Sequence, residues 1–145
     1  MNQIFVGTYQ HNVDSKGRVS LPALFRKNLA TQLFVTAGPE QALLVFTPEK
    51  YQEWVMSLFA QRDGGYNPRS ARDAKLMRDA TKDAYPVELD SAGRINLPAQ
   101  LREKAGISKE VNIVGSFDHF EIWDSKAWGA HEASSPSFGG YFESE

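Results

Sequence analysis

Cysteine is absent from the 145 residues, which excludes a disulfide framework, a thiolate zinc site, an iron–sulfur cluster and a thiol nucleophile. No run of about 18 apolar residues occurs, so a membrane-spanning helix is not expected. The N-terminus also lacks a basic stretch leading into an apolar one, and the expected location is therefore the cytoplasm. Net charge is small: 16 Lys and Arg stand against 18 Asp and Glu, leaving -2. Taken alone, that balance gives no hint of a polyanionic partner. What is present is ordinary, with 41% hydrophobic and 23% charged residues, a globular composition. A chain of this length suits one domain, or two small modules sharing a core.

The near-neutral total hides an asymmetry. Residues 1–109 carry 15 basic and 11 acidic side chains, whereas residues 110–145 carry one basic and seven acidic. A local positive field can bind an anion even when the whole chain is slightly negative. The acidic end can equally be a solvated tail, and charge alone does not separate the two readings.

A repeat organises the chain. Asp14-Ser-Lys-Gly-Arg-Val-Ser-Leu-Pro-Ala-Leu-Phe-Arg26 recurs as Asp90-Ser-Ala-Gly-Arg-Ile-Asn-Leu-Pro-Ala-Gln-Leu-Arg102, eight of thirteen positions being identical at an offset of 76. Downstream, with one residue added to the offset, Leu43-Leu-Val-Phe46, Thr47 and Tyr51 are matched by Phe120-Glu-Ile-Trp123, Asp124 and Trp128. Two homologous modules follow, over 1–60 and 84–131, joined by a basic connecting segment 61–83 and ended by an acidic tail 132–145.

Each module reads in the same order. A short strand enters Asp-Ser-Lys/Ala-Gly, a turn in which Asp14 or Asp90 accepts backbone N–H bonds and Gly17 or Gly93 takes positive φ. An extended segment returns from Arg18 or Arg94, and Pro22 or Pro98 is suited to start a helix. These helices are predicted over 22–30 and 98–105, the second ending near Gly106. Two apolar strands come next, then Thr47-Pro48-Glu49 as a helix start. Tyr51, Trp54, Val55, Leu58 and Phe59 fall on one face of that helix, as core or subunit contact. Asp124 is the candidate cap of the matching helix, which fades by about residue 131. In the connecting segment, Asn67-Pro68 is read as a cap opening a helix to about Lys82. Arg72, Lys75 and Arg78 recur along it beside a thin apolar edge of Ala71, Ala74 and Met77. The end after Ala133 reads as loose, with Phe138, Tyr141 and Phe142 available to a neighbour.

Catalytic patterns are missing. There is no dinucleotide fingerprint, no P-loop and no His-Glu-x-x-His pair. His11, His119 and His131 are scattered, and only the last two stand near acids, so no metal, cofactor or small-molecule substrate is expected. Asp14 and Asp90 are better explained by their own turns than as a hydrolytic pair. The chain is not expected to be an enzyme.

The polar constants of the repeat are Asp, Ser, Gly and Arg. Turn geometry accounts for Asp and Gly but does not require a guanidinium. One reading is an Arg–Asp lock, Arg18 on Asp14 and Arg94 on Asp90. The other has the loops hold Lys16, Arg18 and Arg94 outward for phosphates or base edges, where arginine's fork makes two bonds. Copy one is the more basic, with Lys16 in place of Ala92 and Arg26-Lys27 in place of Arg102-Glu103, and so is the expected main contact.

These residues resemble the MraZ family of bacterial transcriptional regulators. The likeness rests on Phe5-x-Gly7-x-Tyr9-x-His11, Asp14-x-Lys16-Gly-Arg18 with Leu21-Pro22 and Arg26, then Asp90-x-x-Gly-Arg94, Leu97-Pro98, Leu101-Arg102, Ala105-Gly106 and Phe120-Glu-Ile-Trp-Asp124. It also looks like the wider AbrB/SpoVT group, which carries one such copy per chain. The resemblance implies a mainly β fold with flanking helices, a swapped-hairpin β-barrel formed by both copies. It implies a ring-like homo-oligomer that binds short direct repeats in double-stranded DNA, associates with the nucleoid and represses its own division and cell-wall operon. The expected DNA contacts are Lys16, Arg18, Arg26 and Arg94, with Asp14, Gly17, Asp90 and Gly93 orienting the loops. A scaffold whose arginines only lock turns is the alternative.

Overall fold

Both copies lay down the same run of elements in the computed structural model, which describes residues 3–61 and 63–143. The first copy forms β1 (Thr8–Asn12), β2 (Arg18–Ser20), α1 (Ala23–Arg26), β3 (Gln32–Ala37), β4 (Ala42–Phe46) and α2 (Pro48–Ser57). The connecting helix α3 (Ala71–Thr81) leads to β5 (Tyr85–Glu88), β6 (Arg94–Asn96), α4 (Ala99–Lys104), β7 (Glu110–Gly115), β8 (Phe120–Asp124) and α5 (Ser125–Ser134). Alternation explains the short strands: Val19 and Ile95 are buried, while Ser20 and Asn96 beside them face out.

The copies exchange strands. Six strands pair in the order β1-β7-β8-β4-β3-β5, and β2 pairs with β6 in a separate ribbon. Thus β1 of the first copy lies on β7 of the second, β5 of the second lies on β3 of the first, and β4 meets β8 at the centre. All ladders are antiparallel. This is the mainly β, interleaved arrangement expected for two copies in one chain. The ladders divide into a six-stranded sheet and a two-stranded ribbon, and no closed barrel circuit forms among the described residues.

Val19, Leu21, Ile95 and Leu97 are fully buried beneath the ribbon and merge with Leu33, Val35, Val111 and Ile113 of the sheet in one core. At one side Phe5, Phe25 and Phe120 pack as a triangle, each pair of ring centroids 5.1 Å apart. Rings from the N-terminal segment, α1 and the second copy's β8 thereby share one site, and such aromatic packing stabilises beyond its buried area.

Several element ends differ from the sequence-based expectation. Helix α1 stops at Arg26 rather than residue 30, because Lys27 is already extended and Asn28 takes φ of 62°. Helix α4 is two residues longer than α1. The third strands are consequently related by 78 residues, Gln32 to Glu110, before the offset returns to 77 in the fourth. Helix α3 begins after Ser70, whose hydroxyl accepts the Asp73 N–H at 3.1 Å. Asn67, the expected cap, instead takes the Arg69 N–H in the preceding turn. Asp124 caps α5 by accepting the Lys126 N–H at 3.2 Å, and that helix continues to Ser134, past residue 131. The end expected to be loose carries a 3-10 turn, Phe138–Phe142, with its aromatics exposed. Val55 of α2 and Phe59 just beyond it are buried, while Leu58 between them remains 40% exposed.

Gly115 ends β7 where the N-terminal segment crosses it. A Cβ there would lie 2.5 Å from the Phe5 carbonyl carbon and the Val6 nitrogen, both backbone atoms. Gly129, within α5, has nothing within 4 Å of its Cβ position. Gly115→Ala is therefore expected to destabilise by about 1–3 kcal/mol, since backbone must move. Gly129→Ala should stabilise by about 0.5–1 kcal/mol through helix propensity. Thermal or urea unfolding of both variants checks the opposite signs.

Candidate nucleic-acid interface

The two repeated turns fold identically. In the first, the Asp14 N–H donates to the Arg18 carbonyl at 2.8 Å and the Gly17 N–H to the Asp14 carbonyl at 3.0 Å. Asp14 Oδ1 accepts the backbone N–H groups of Lys16 and Arg18, both at 2.9 Å. Its Oδ2 accepts Arg18 Nε at 2.8 Å. The second turn repeats each bond: Ala92 and Arg94 N–H to Asp90 Oδ1 at 2.9 Å, and Arg94 Nε to Oδ2 at 3.0 Å. Gly17 and Gly93 sit at φ of 84° and 79°, where a Cβ is strongly disfavoured.

Reciprocal backbone bonds hold the turns side by side. The Leu21 N–H donates to the Gly93 carbonyl at 3.0 Å, and the Leu97 N–H to the Gly17 carbonyl at 2.9 Å. The helix-end arginines then cross between copies. Arg26 of α1 lies over the second turn, donating from Nη1 to the Ala92 carbonyl at 3.4 Å. A Cβ on Gly93 would collide with the Arg26 guanidinium. Arg102 of α4, held by its Nε on the Leu97 carbonyl at 3.0 Å, lies over Gly17.

All four expected cations are brought together: Lys16 and Arg18 on the first turn, Arg94 on the second, and Arg26 across from the other copy. Arg102 completes the set and was missed as a site residue, although its offset from Arg26 is the repeat's own 76. The cluster holds five cations and two carboxylates. Each carboxylate is engaged by its own turn, and the Nη groups of Arg18 and Arg94 donate to nothing among the described residues. The Asp–Arg lock therefore forms in both turns through Nε alone. Fixing Nε in place orients the rest of the fork.

Both aspartates are held below the ordinary carboxylate value of 3.8, chiefly by the arginine backbone N–H, with partial loss of hydration opposing. His11, on β1, is shifted down by burial first and by the Arg26 charge second. Its imidazole therefore stays neutral at neutral pH and adds no cation to the cluster. The other two histidines pair locally: His119 Nδ1 with Asp118 at 2.8 Å and His131 Nε2 with Glu40 at 3.5 Å. Among the described residues, no group of three or more His, Asp or Glu is placed to hold a metal ion.

Residues 4–63 and 80–139 each match one family model, described as "MraZ protein, putative antitoxin-like". The chain belongs to the MraZ family. Both matched stretches contain one Asp–Gly–Arg turn, so the geometric repeat and the MraZ repeat are the same unit. MraZ is an AbrB-like family of regulators and not an enzyme family. Among the described residues no helix is long and apolar enough to cross a membrane.

The depressed pKa of Asp14 and Asp90 carries a sign. Because the folded value lies below the unfolded 3.8, the stabilisation is complete above pH 3.8 and is lost as pH falls through the folded value. Amide resonances of Lys16, Arg18, Ala92 and Arg94 are expected to titrate together below pH 3.8. In Asp14→Asn and Asp90→Asn, the response should vanish from the substituted turn only.

Proposed function

We propose that this chain is a sequence-specific regulator of transcription that binds double-stranded DNA through the paired turns. The observation that carries this reading is the reciprocal clamp: two arginine turns fixed side by side, each overlain by an arginine from the other copy. A two-stranded β-ribbon presenting basic side chains can enter a major groove. There Arg18 and Arg94 would face bases or phosphates, with Lys16, Arg26 and Arg102 toward the backbone. Asp14 and Asp90 act on loop geometry, since a carboxylate gains nothing from phosphate.

The finer reading follows from the family. The protein assembles as a ring-like homo-oligomer in the cytoplasm and on the nucleoid, and binds short direct repeats in a promoter. It represses its own division and cell-wall operon. Repeated turns at regular spacing would engage successive DNA repeats together, which raises avidity without new contacts.

Binding to a duplex from the gene's own upstream region should weaken with salt, with a log–log slope of about 0.9 per phosphate neutralised. Arg18→Ala with Arg94→Ala should abolish specific retardation while the melting temperature stays within a few degrees, as exposed ion pairs contribute little. Absence of retardation by the wild-type protein at low salt would sink the reading. The Nε–carboxylate lock favours a second one, a scaffold whose arginines serve the turns alone. A large stability loss in the double variant, with no DNA binding by the wild-type protein, would select it.

A further inference from the structure

The local dyad between the copies passes through the Val19↔Ile95 pair of the ribbon. It makes Arg18 and Arg94 equivalent, but their neighbours are unlike. Across the ribbon Arg18 is opposed by Asn96, whereas Arg94 is opposed by Ser20. Lys16 of the first turn corresponds to Ala92 of the second. Ser20 and Asn96, Lys16 and Ala92 are all exposed. Directly opposed residues stand about 4.5–5.5 Å apart at Cβ, so each end presents one arginine beside a different polar partner. At the first end the groups converge: a Cβ on Gly17 would lie 3.0 Å from Arg102 Nη2 and 3.2 Å from Asn96 Oδ1. Around Gly93 the three nearest atoms all belong to Arg26.

The chemistry of the two ends differs accordingly. A carboxamide offers an NH2 donor group and a carbonyl acceptor in one plane, the acceptor suited to adenine N6–H and the donor to N7 in the major groove. A guanidinium matches O6 and N7 of guanine. A serine hydroxyl serves either base and discriminates little. Lys16 adds a point charge suited to phosphate.

We propose that Asn96, set against Arg18, makes the first end of the ribbon the discriminating one, so that each chain seats on duplex DNA in a single orientation. The Arg94–Ser20 end contributes affinity with little sequence preference. The inference rests on the DNA-binding reading above and adds to it the polarity of the contact and the residue that sets it.

The absence of native cysteine permits a direct test. Ser15→Cys and Ser91→Cys, one in each turn, are labelled separately with an iron–EDTA cleaving group. Each is bound to duplexes that the wild-type protein has selected from a random-sequence pool. The two labels should cut opposite flanks of each bound segment, and the exchange Ser20→Asn with Asn96→Ser should reverse the two patterns. Asn96→Ser alone should lower discrimination at one adenine-containing base pair by at least about five-fold. Its melting temperature should not change, and its binding to unselected duplex should fall by less than its discrimination does. Equal cutting of both flanks by both labels, or unchanged discrimination in Asn96→Ser, would overturn the proposal. No retardation of any duplex in the pool would overturn the DNA-binding reading together with it, and is recognised because binding itself is then missing.

Discussion

The backbone groups of β1 and β5 find their ladder partners only in the opposite copy, on β7 and β3 respectively. A half-chain would expose the whole edge of its third strand, and unpaired edges are both costly and aggregation-prone. This exchange fixes everything that follows. Each turn springs from a strand held by the other copy, and each is closed by a backbone bond from the other copy's Leu21 or Leu97. The relative placement of the two turns is thus set by the core and not by loop flexibility. Contacts that require two arginines at a fixed separation depend on that rigidity.

Within the cluster, two carboxylates among five cations look counterproductive for an anion site until their bonds are counted. Each carboxylate accepts two backbone N–H groups and an Nε. The exposed ion pair itself contributes little to stability. Its effect lies in the arginine side chain, whose rotamer freedom is already restricted before any partner arrives, which lowers the entropy lost on contact. The carboxylate holds the Nε end, and the Nη end is the one the proposed DNA contact would use.

Local chemistry was legible in the sequence wherever it depended on neighbours in the chain. The Asp-x-x-Gly-Arg turn, the Thr47 and Asp124 caps and the Val19/Ile95 alternation are all set by residues within a few positions. Readings that depended on competition between local signals failed at helix ends. Asn67 and Ser70 are both good caps, and the helix chose the second because Asn67 was engaged in its own turn. The strand exchange was not derivable from periodicity, which is blind to which copy a strand pairs with; it entered through the family likeness. The crossing of Arg26 and Arg102 to the opposite turn escaped for the same reason, because it depends on the exchange.

Carrying both copies in one chain also changes what substitution can do. In a dimer of identical chains any replacement appears twice, so the two ends of the ribbon must match. Here, positions against the dyad stay alike: Val19 with Ile95, Leu21 with Leu97, and Gly17 with Gly93 are buried against each other's surroundings. Dense reciprocal packing leaves little room for divergence there. Some outward positions carry no such restraint and differ, as Lys16/Ala92, Ser20/Asn96 and Lys27/Glu103 show, whereas the exposed Asp14/Asp90 and Ser15/Ser91 pairs stay alike. Packing holds the buried face of the ribbon to apolar residues of similar shape, while its exposed face tolerates difference wherever the turn does not itself need the residue.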